Sequence, residues 1–320
     1  MINENKYFIF DRPYSTFYYY LKNILYMISS CYYKVILNLQ RPKNIKKKKF
    51  YVSICAIFKN ESIYIKEWIE YHKIIGINHF YLYNNFSSDN YKMILKPYIK
   101  EGLVTLIEWP FNQGQMSAYA NCAKNFSKES NWIAYIDLDE YIVPNELTDI
   151  KNILEKFEKN RPNVIAYWKL FGSSGLLDRD RNGLVTEDFY LCWGKYTNIG
   201  KCFYNTAYDY AEGLLENKAM HCRWSKIGNW KLPPVNFFDN VICMGINKAN
   251  NVLPPVQINH YFTKSFSEYI EKASRGDAFF KVNPRNEEYF YEHDVRCTGT
   301  DYNIRKFLIK LKLNMNNNNN

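Results

Sequence analysis

Three acids close the segment WIAYIDLDEYI, residues 132–142: Asp137, Asp139 and Glu140 follow a run of tryptophan, isoleucine, alanine and tyrosine. Asp137 and Asp139 stand two apart, so along an extended segment both side chains point to one side while Leu138 turns back into the protein. Two carboxylates facing one way offer hard oxygen ligands to Mg²⁺ or Mn²⁺, an ion that can bridge to the phosphates of a nucleotide. Acidic pairs at turns are common, so the weight of this one depends on what places it.

The elements that must place it are legible in the hydrophobic pattern. YVSICAIF (51–58) is an apolar run of strand length, NES (60–62) starts a helix, and Ile65, Trp68, Ile69, His72 and Ile75 share one helical face that Gly76 ends. HFYLYNN (79–85) is a second strand, SSDN caps a second helix and LVTLIEW (103–109) is a third strand. Met116, Tyr119, Ala120, Ala123 and Phe126 stripe a third helix before WIAYID, the fourth strand. Strands alternating with helices predict an α/β fold with a mostly parallel sheet covered on both faces. Ligands of such sheets bind beyond the carboxyl ends of the strands, so a strand apolar along its length and acidic at its tip delivers carboxylates to a site.

Composition bounds the rest. With 320 residues, 29 Tyr and 21 Phe, the chain can bury a large core. The boundaries predicted are an N-terminal helical segment 1–49, one domain over 50–282, and a C-terminal extension 283–320 whose Asn314–Asn320 run reads as disordered. Eight cysteines show no CxxC pairing, which argues against structural zinc and favours a reducing compartment. Much of the net charge of +10 comes from the cluster Lys43–Lys49. Because that cluster follows FYYYLKNILYMISSCYYKVILNL (17–39), an apolar and aromatic stretch interrupted by Lys22 and Lys34, the pattern suits a helix lying at an anionic membrane surface. A helix packed on the domain accounts for it equally well. Nucleic acid is not an expected partner, since no motif for reading it appears. Lys264, Lys272 and Arg275 have the spacing of one helical face, suited to a diphosphate or simply to solvent.

Four segments in order, CAIFKNESIYIKEWIEYHKIIGINHFYLYNN, WIAYIDLDEYIVP, WKLFGSSG and QINHYFTKSFSEYIEKASRG, resemble glycosyltransferase family 92 and the related bacterial branch of family 2, from about Tyr51 to Asp277. The resemblance implies a GT-A fold and transfer of a sugar, plausibly galactose, from a UDP-sugar to a glycan acceptor with a divalent metal. It implies that Cys55, Ala56, Ile57, Asn60 and Glu61 cradle the donor, and that Asp137, Asp139 and His260 bind the metal, Asp139 most directly. Lys264 belongs with the donor site, and Asp137 would meet donor as well as metal. LVTEDFYL (184–191) resembles the segment holding the catalytic base of inverting enzymes, nominating Asp188 with Glu187 in reserve; two surface acids would look the same. Lys201 resembles a family lysine without an assigned role. FGSSG (171–175) suits close approach to a sugar or an ordinary turn, and Leu176 stands where many relatives carry histidine. Trp168, Trp193, Trp224 and Trp230 could stack on sugars or belong to the core.

The leading expectation is therefore an inverting, metal-dependent glycosyltransferase at the cytoplasmic face of a membrane, a secretory-pathway anchored protein being the alternative location. Two other classes compete. A nucleotidyltransferase would share the acidic metal pair but wants a glycine- and basic-rich loop where this chain has FKNES. A non-catalytic membrane-associated binding protein would use the acids only as strand caps.

Overall fold

The computed structural model describes residues 3–4, 6–10, 15–42, 48–210, 224–244, 252–276, 283 and 285–317. A hairpin, β1 (Asn3–Glu4) and β2 (Ile9–Phe10), precedes the long helix α1 (Thr16–Leu39). The βα series then runs β3 (Phe50–Phe58), α2 (Ser62–Ile74), β4 (His79–Asn84), α3 (Tyr91–Lys100), β5 (Val104–Glu108), α4 (Gln115–Phe126) and β6 (Ser130–Tyr135). After the acids come β7 (Glu140–Pro144), α5 (Ile150–Leu154), β8 (Asn163–Leu170), α6 (Val185–Asp188), β9 (Leu191–Cys192) and β10 (Gly200–Asn205). The short strands β11 (Asp209–Tyr210), β12 (Ser225–Ile227), β13 (Trp230–Leu232) and β14 (Val235–Asn236) follow. Last are β15 (Val256–His260), α7 (Phe266–Ser274), α8 (Glu287–Asp294), β16 (Gly299–Thr300) and α9 (Leu308–Asn317).

Among the described residues nine strands form the central sheet, in the order β5-β4-β3-β6-β10-β8-β15-β7 with β14 beside β8. The first four are parallel; β10 enters antiparallel between β6 and β8, and β7 closes the far edge antiparallel to β15. This is the mixed, mostly parallel sheet of a GT-A fold, flanked by helices. β3 is paired on both edges and alternates between two apolar layers: Val52, Ile54, Ala56 and Phe58 join the main core, while Cys55 and Ile57 join Tyr81, Tyr83, Tyr119 and Tyr135 on the other face. Gly76 ends α2 at φ +94°, and a Cβ there would meet the Asp149 carboxylate at 2.2 Å, so only glycine fits.

Two expected boundaries change. Ile36 and Leu37 of α1 are buried in the main core, and so are Ile304, Phe307 and Leu311 near the C-terminus, which makes both ends part of the same packed body. Residues 314–317, expected to be disordered, complete α9, because Leu308, Leu311 and Met315 recur at helical spacing against the core. Residues 43–47 of the lysine cluster and 318–320 of the tail lie outside the described residues.

His72 ties this scaffold to the acidic turn. Its Nδ1 is 2.8 Å from the Trp68 carbonyl, so that nitrogen carries the proton, and its Nε2 accepts the Ile142 N–H of β7 at 3.2 Å. Burial pushes its pKa down to about 3. A histidine depressed in the folded state contributes stability that is present above its unfolded value of about 6.5 and is lost as pH falls toward the folded value, at up to roughly 1.4 kcal/mol per pH unit. Urea unfolding midpoints should therefore fall more steeply for wild type than for His72→Gln between about pH 6.5 and 4; equal slopes would refute the neutral anchor.

Candidate active site

β6 delivers its carboxyl end beside that of β3, and the chain turns at once into β7. The turn is tight: the Glu140 N–H donates to the Asp137 carbonyl at 3.1 Å, and the Asp137 N–H donates to Glu140 Oε2 at 3.0 Å. β15 pairs with β7 in a register that sets His260 opposite Glu140, and the Tyr261 N–H donates to the Asp139 carbonyl at 2.9 Å. Residues more than a hundred positions apart are thereby fixed side by side. His260 Nε2 lies 3.6 Å from Asp139 Oδ2, His260 Nδ1 lies 4.0 Å from Glu140 Oε1, and the His260 ring rests 4.9 Å from that of Trp168.

Two lysines serve the three acids. Lys201 Nζ, on β10, is 2.8 Å from Asp137 Oδ2 and 3.4 Å from Glu140 Oε2, while Gln115 and Tyr119 donate to Asp137 Oδ1 at 2.8 and 2.9 Å. Lys272 of α7 is ion-paired with Asp139. Burial alone would raise every carboxyl here. Lys201 and the Tyr119 hydroxyl together overcome it at Asp137, and Lys272, His260 and Lys264 together at Asp139, so Asp137 is lowered and Asp139 lies well below the usual carboxylate range. Glu140 goes the other way: burial, helped by the two aspartates and opposed by Lys201, lifts it to about 8. Burial pushes His260 down against the pull of Asp139, favouring the neutral imidazole. Glu140 Oε1 and His260 Nδ1 are both buried without a hydrogen bond, each facing the other.

Lys264 completes the cluster. It is 3% exposed, sits in the left-handed region at φ +54° with Nζ 4.3 Å from the centre of the Tyr64 ring, and burial, reinforced by Lys272, pulls its pKa down to about 8. A non-glycine residue held there costs of order 1 kcal/mol, strain that tends to collect at functional sites.

The sequence model of glycosyltransferase family 92 matches residues 48–208, just over half of the chain and the whole of the β3–β10 framework that carries the acids and Lys201. The chain belongs to glycosyltransferase family 92. A family 92 protein of Oryza sativa subsp. japonica is 29% identical over 154 residues, which are 47% of this chain and 26% of that protein. One of Ricinus communis is 28% identical over 145 residues, 43% of this chain and 26% of its own. The chain thus spans about a quarter of the length of these curated relatives. Among solved structures, residues 1–349 of S. aureus TarS in complex with UDP align over 58% of this chain and 60% of that one, with 15% identity and a TM-score of 0.35.

The expected site residues, some of them beyond the matched residues 48–208, separate into two groups. Asp139, His260, Lys264 and Lys272 come together, and Glu61, half-buried, lies within electrostatic reach of Lys264, Asp139, Lys272 and Arg275. Asn60, at φ +52°, donates its N–H to Ser87 Oγ at 2.9 Å and accepts from the Ser88 N–H at 2.7 Å; its carbonyl accepts from Arg275. Neither Asn60 nor Glu61 caps α2 with its side chain, since Asp89 accepts the Ser62 N–H instead. Cys55, Ala56 and Ile57 are buried at the carboxyl end of β3. They are core residues of a strand paired on both edges, and the loop that follows them carries Asn60 and Glu61.

Asp137 and Asp139, expected to share an ion, meet different partners in this structure, Asp139 facing His260 and Lys272. Asp137 is turned to Lys201, Gln115 and Tyr119, and among the described residues no three His, Cys, Asp or Glu side chains form a ligand set. In FGSSG the Ser174 hydroxyl accepts the Tyr190 and Leu191 N–H groups, and a Cβ on Gly172 would meet Asp294 at 2.5 Å, so this loop is spent on structure. The roles of Glu140 beside His260 and of Lys201 as counter-ion were missed by sequence reasoning; a glutamate and a lysine in otherwise apolar strands were the signals available.

Asp188 and Glu187 also part company. Asp188 Oδ2 is 3.2 Å from Arg179 Nη1, whose Nε donates to Glu268 at 2.9 Å beside Tyr64, while Glu187 pairs with Lys312 of α9 at 2.7 Å, away from that network.

Because Lys201 neutralises two acids from a buried position, Lys201→Met should destabilise the fold by about 2–3 kcal/mol, the buried-pair loss discounted for the 30% exposure of the Asp137 side chain. Adding Glu140→Gln should return part of that loss in urea unfolding; two additive losses would contradict the shared counter-ion.

Proposed function

We propose that this domain transfers a sugar from a UDP-sugar donor to a glycan acceptor with inversion, galactose being the sugar the family resemblance implies. The observation that carries the reading is the β15–β7 register, which joins His260 to Asp139 under Lys264 and Lys272 at the carboxyl rim of the sheet. Family membership and the position of the rim support it.

The donor set fits a divalent ion held by two protein ligands rather than three. Asp139 offers a carboxylate oxygen and His260, with Nδ1 toward Glu140, offers the Nε2 lone pair; the ammonium of Lys272 already marks the spot as one that accepts positive charge. An ion bound there would supply Lewis-acid neutralisation of the leaving diphosphate. Lys272, freed from Asp139, and Lys264 would bind diphosphate oxygens, where lysines act as compact point charges. Glu140 would orient His260.

Asp188 takes the acceptor hydroxyl's proton in this scheme. The acceptor oxygen bonds to the anomeric carbon as the bond from that carbon to the diphosphate breaks, and the electron pair leaves with UDP. Burial raises the Asp188 carboxyl while Arg179 opposes the rise and holds it in place.

The test is a panel of nucleotide sugars scored for donor hydrolysis and transfer with and without Mn²⁺. Asp139→Asn should abolish Mn²⁺-dependent UDP binding in a folded protein. Asp188→Asn should keep UDP binding and lower transfer by roughly 10²–10⁴, and Glu187→Gln should change transfer little. An Asp139→Asn protein that still binds UDP and hydrolyses donor like wild type would sink the reading.

A further inference from the structure

Helix α1 turns the usual amphipathic arrangement outward. Its packed side anchors to the domain partly through polar groups: Lys34 pairs with Asp239, Tyr26 donates its hydroxyl to the Val241 carbonyl at 2.8 Å, and Asn38 Oδ1 accepts from Arg161 at 3.0 Å. Ile36 and Leu37 are the buried apolar contacts, with Tyr33 edge-on to Trp224 at 5.4 Å. The opposite side is almost wholly apolar. Phe17, Ile24, Ile28, Val35 and Leu39 follow one another at intervals of seven and four residues, a single helical stripe, and Met27 flanks it. Exposure along the stripe runs from 56% at Ile24 through 63% at Ile28 to 70% at Leu39 and 80% at Phe17. A stripe this long on a 24-residue helix, about 36 Å, far exceeds the scattered exposed apolar residues of ordinary surfaces.

We propose that this face is a docking surface for an anionic lipid membrane, with α1 lying flat in the interface. Charge selects lipid over protein. From residue 12 to residue 60 the sequence holds ten Lys or Arg and no Asp or Glu; Lys34 is spent on Asp239 on the packed side, and the other nine leave the segment carrying the stripe complementary to an anionic surface. A second copy would bring another uniformly basic segment against it. The aromatic content agrees, since Tyr18, Tyr20 and Tyr32 on or beside the stripe are half or more exposed, and tyrosine rings favour the headgroup layer. No described helix is long and apolar enough to cross a membrane, so the stripe rests on the bilayer without spanning it. The inference stands independently of the catalytic reading.

The experiment is co-sedimentation of the full chain with vesicles of phosphatidylcholine alone or with about one third phosphatidylglycerol, at low and high salt. Wild type should sediment with the anionic vesicles and lose most of that binding at high salt. Ile24→Asp/Ile28→Asp should weaken it at least about tenfold, with a thermal melt like wild type because both positions are exposed. The milder Val35→Ser/Leu39→Ser should move in the same direction. No sedimentation by wild type, equal binding by the variants, or equal binding to neutral vesicles would overturn the proposal. So would a lipid-free dimer that the aspartate pair dissociates, since a second copy would then be what covers the stripe.

Discussion

Asp137, Asp139 and Glu140 are forced together where the carboxyl end of a buried strand turns into the next, and like charges at such distances in a poorly hydrated site repel strongly. The surroundings of the rim are organised around relieving that repulsion. β10 is inserted antiparallel beside β6 and brings Lys201 beneath Asp137 and Glu140. α7 brings Lys272 to Asp139, and β15 brings a neutral imidazole. The residual repulsion falls on Glu140, whose carboxyl rises to about 8 because burial strips its solvent and the two aspartates add to the rise, against the opposing pull of Lys201. Positive charge added at such a site would relieve the acids, and negative charge would engage the lysines.

A second buried network holds the helix that supplies Lys272. Glu268 closes a capping box on Ser265 at the start of α7 and also accepts from Arg179 and from the Tyr64 hydroxyl at 2.9 and 2.8 Å. Arg179 extends from there to Asp188, and Glu67 on α2 accepts the Val185 and Thr186 N–H groups that begin α6. One chain of charge-assisted bonds therefore connects α2, α6 and α7. The acid at the end of α6 and the helix that carries Lys272 are thereby held in a fixed relation.

The first half of the fold was legible because its signals are local. Strand-length apolar runs and helical stripes place β3–β6 and α2–α4 within a residue or two of where they lie, since each pattern reports only which faces will be buried. The second half was not. Nothing in GKCFYN says that β10 will slot between β6 and β8, because strand order depends on packing of whole layers and not on period. For the same reason the C-terminal helices, taken as an extension, prove to share the core.

At the rim the division is similar. Sequence by itself determined that acids stand at the tip of a buried strand, that a late histidine and a basic helix follow, and which family the segments belong to. Only the tertiary structure decided which acid meets the histidine, that Asp137 belongs to Lys201, and that Cys55, Ala56 and Ile57 are core. It also exposed α1's apolar stripe, whose burial the sequence left open. The physical reason is register: a shift of one residue between β7 and β15 would turn His260 to the other face of the sheet, and no local pattern records that pairing.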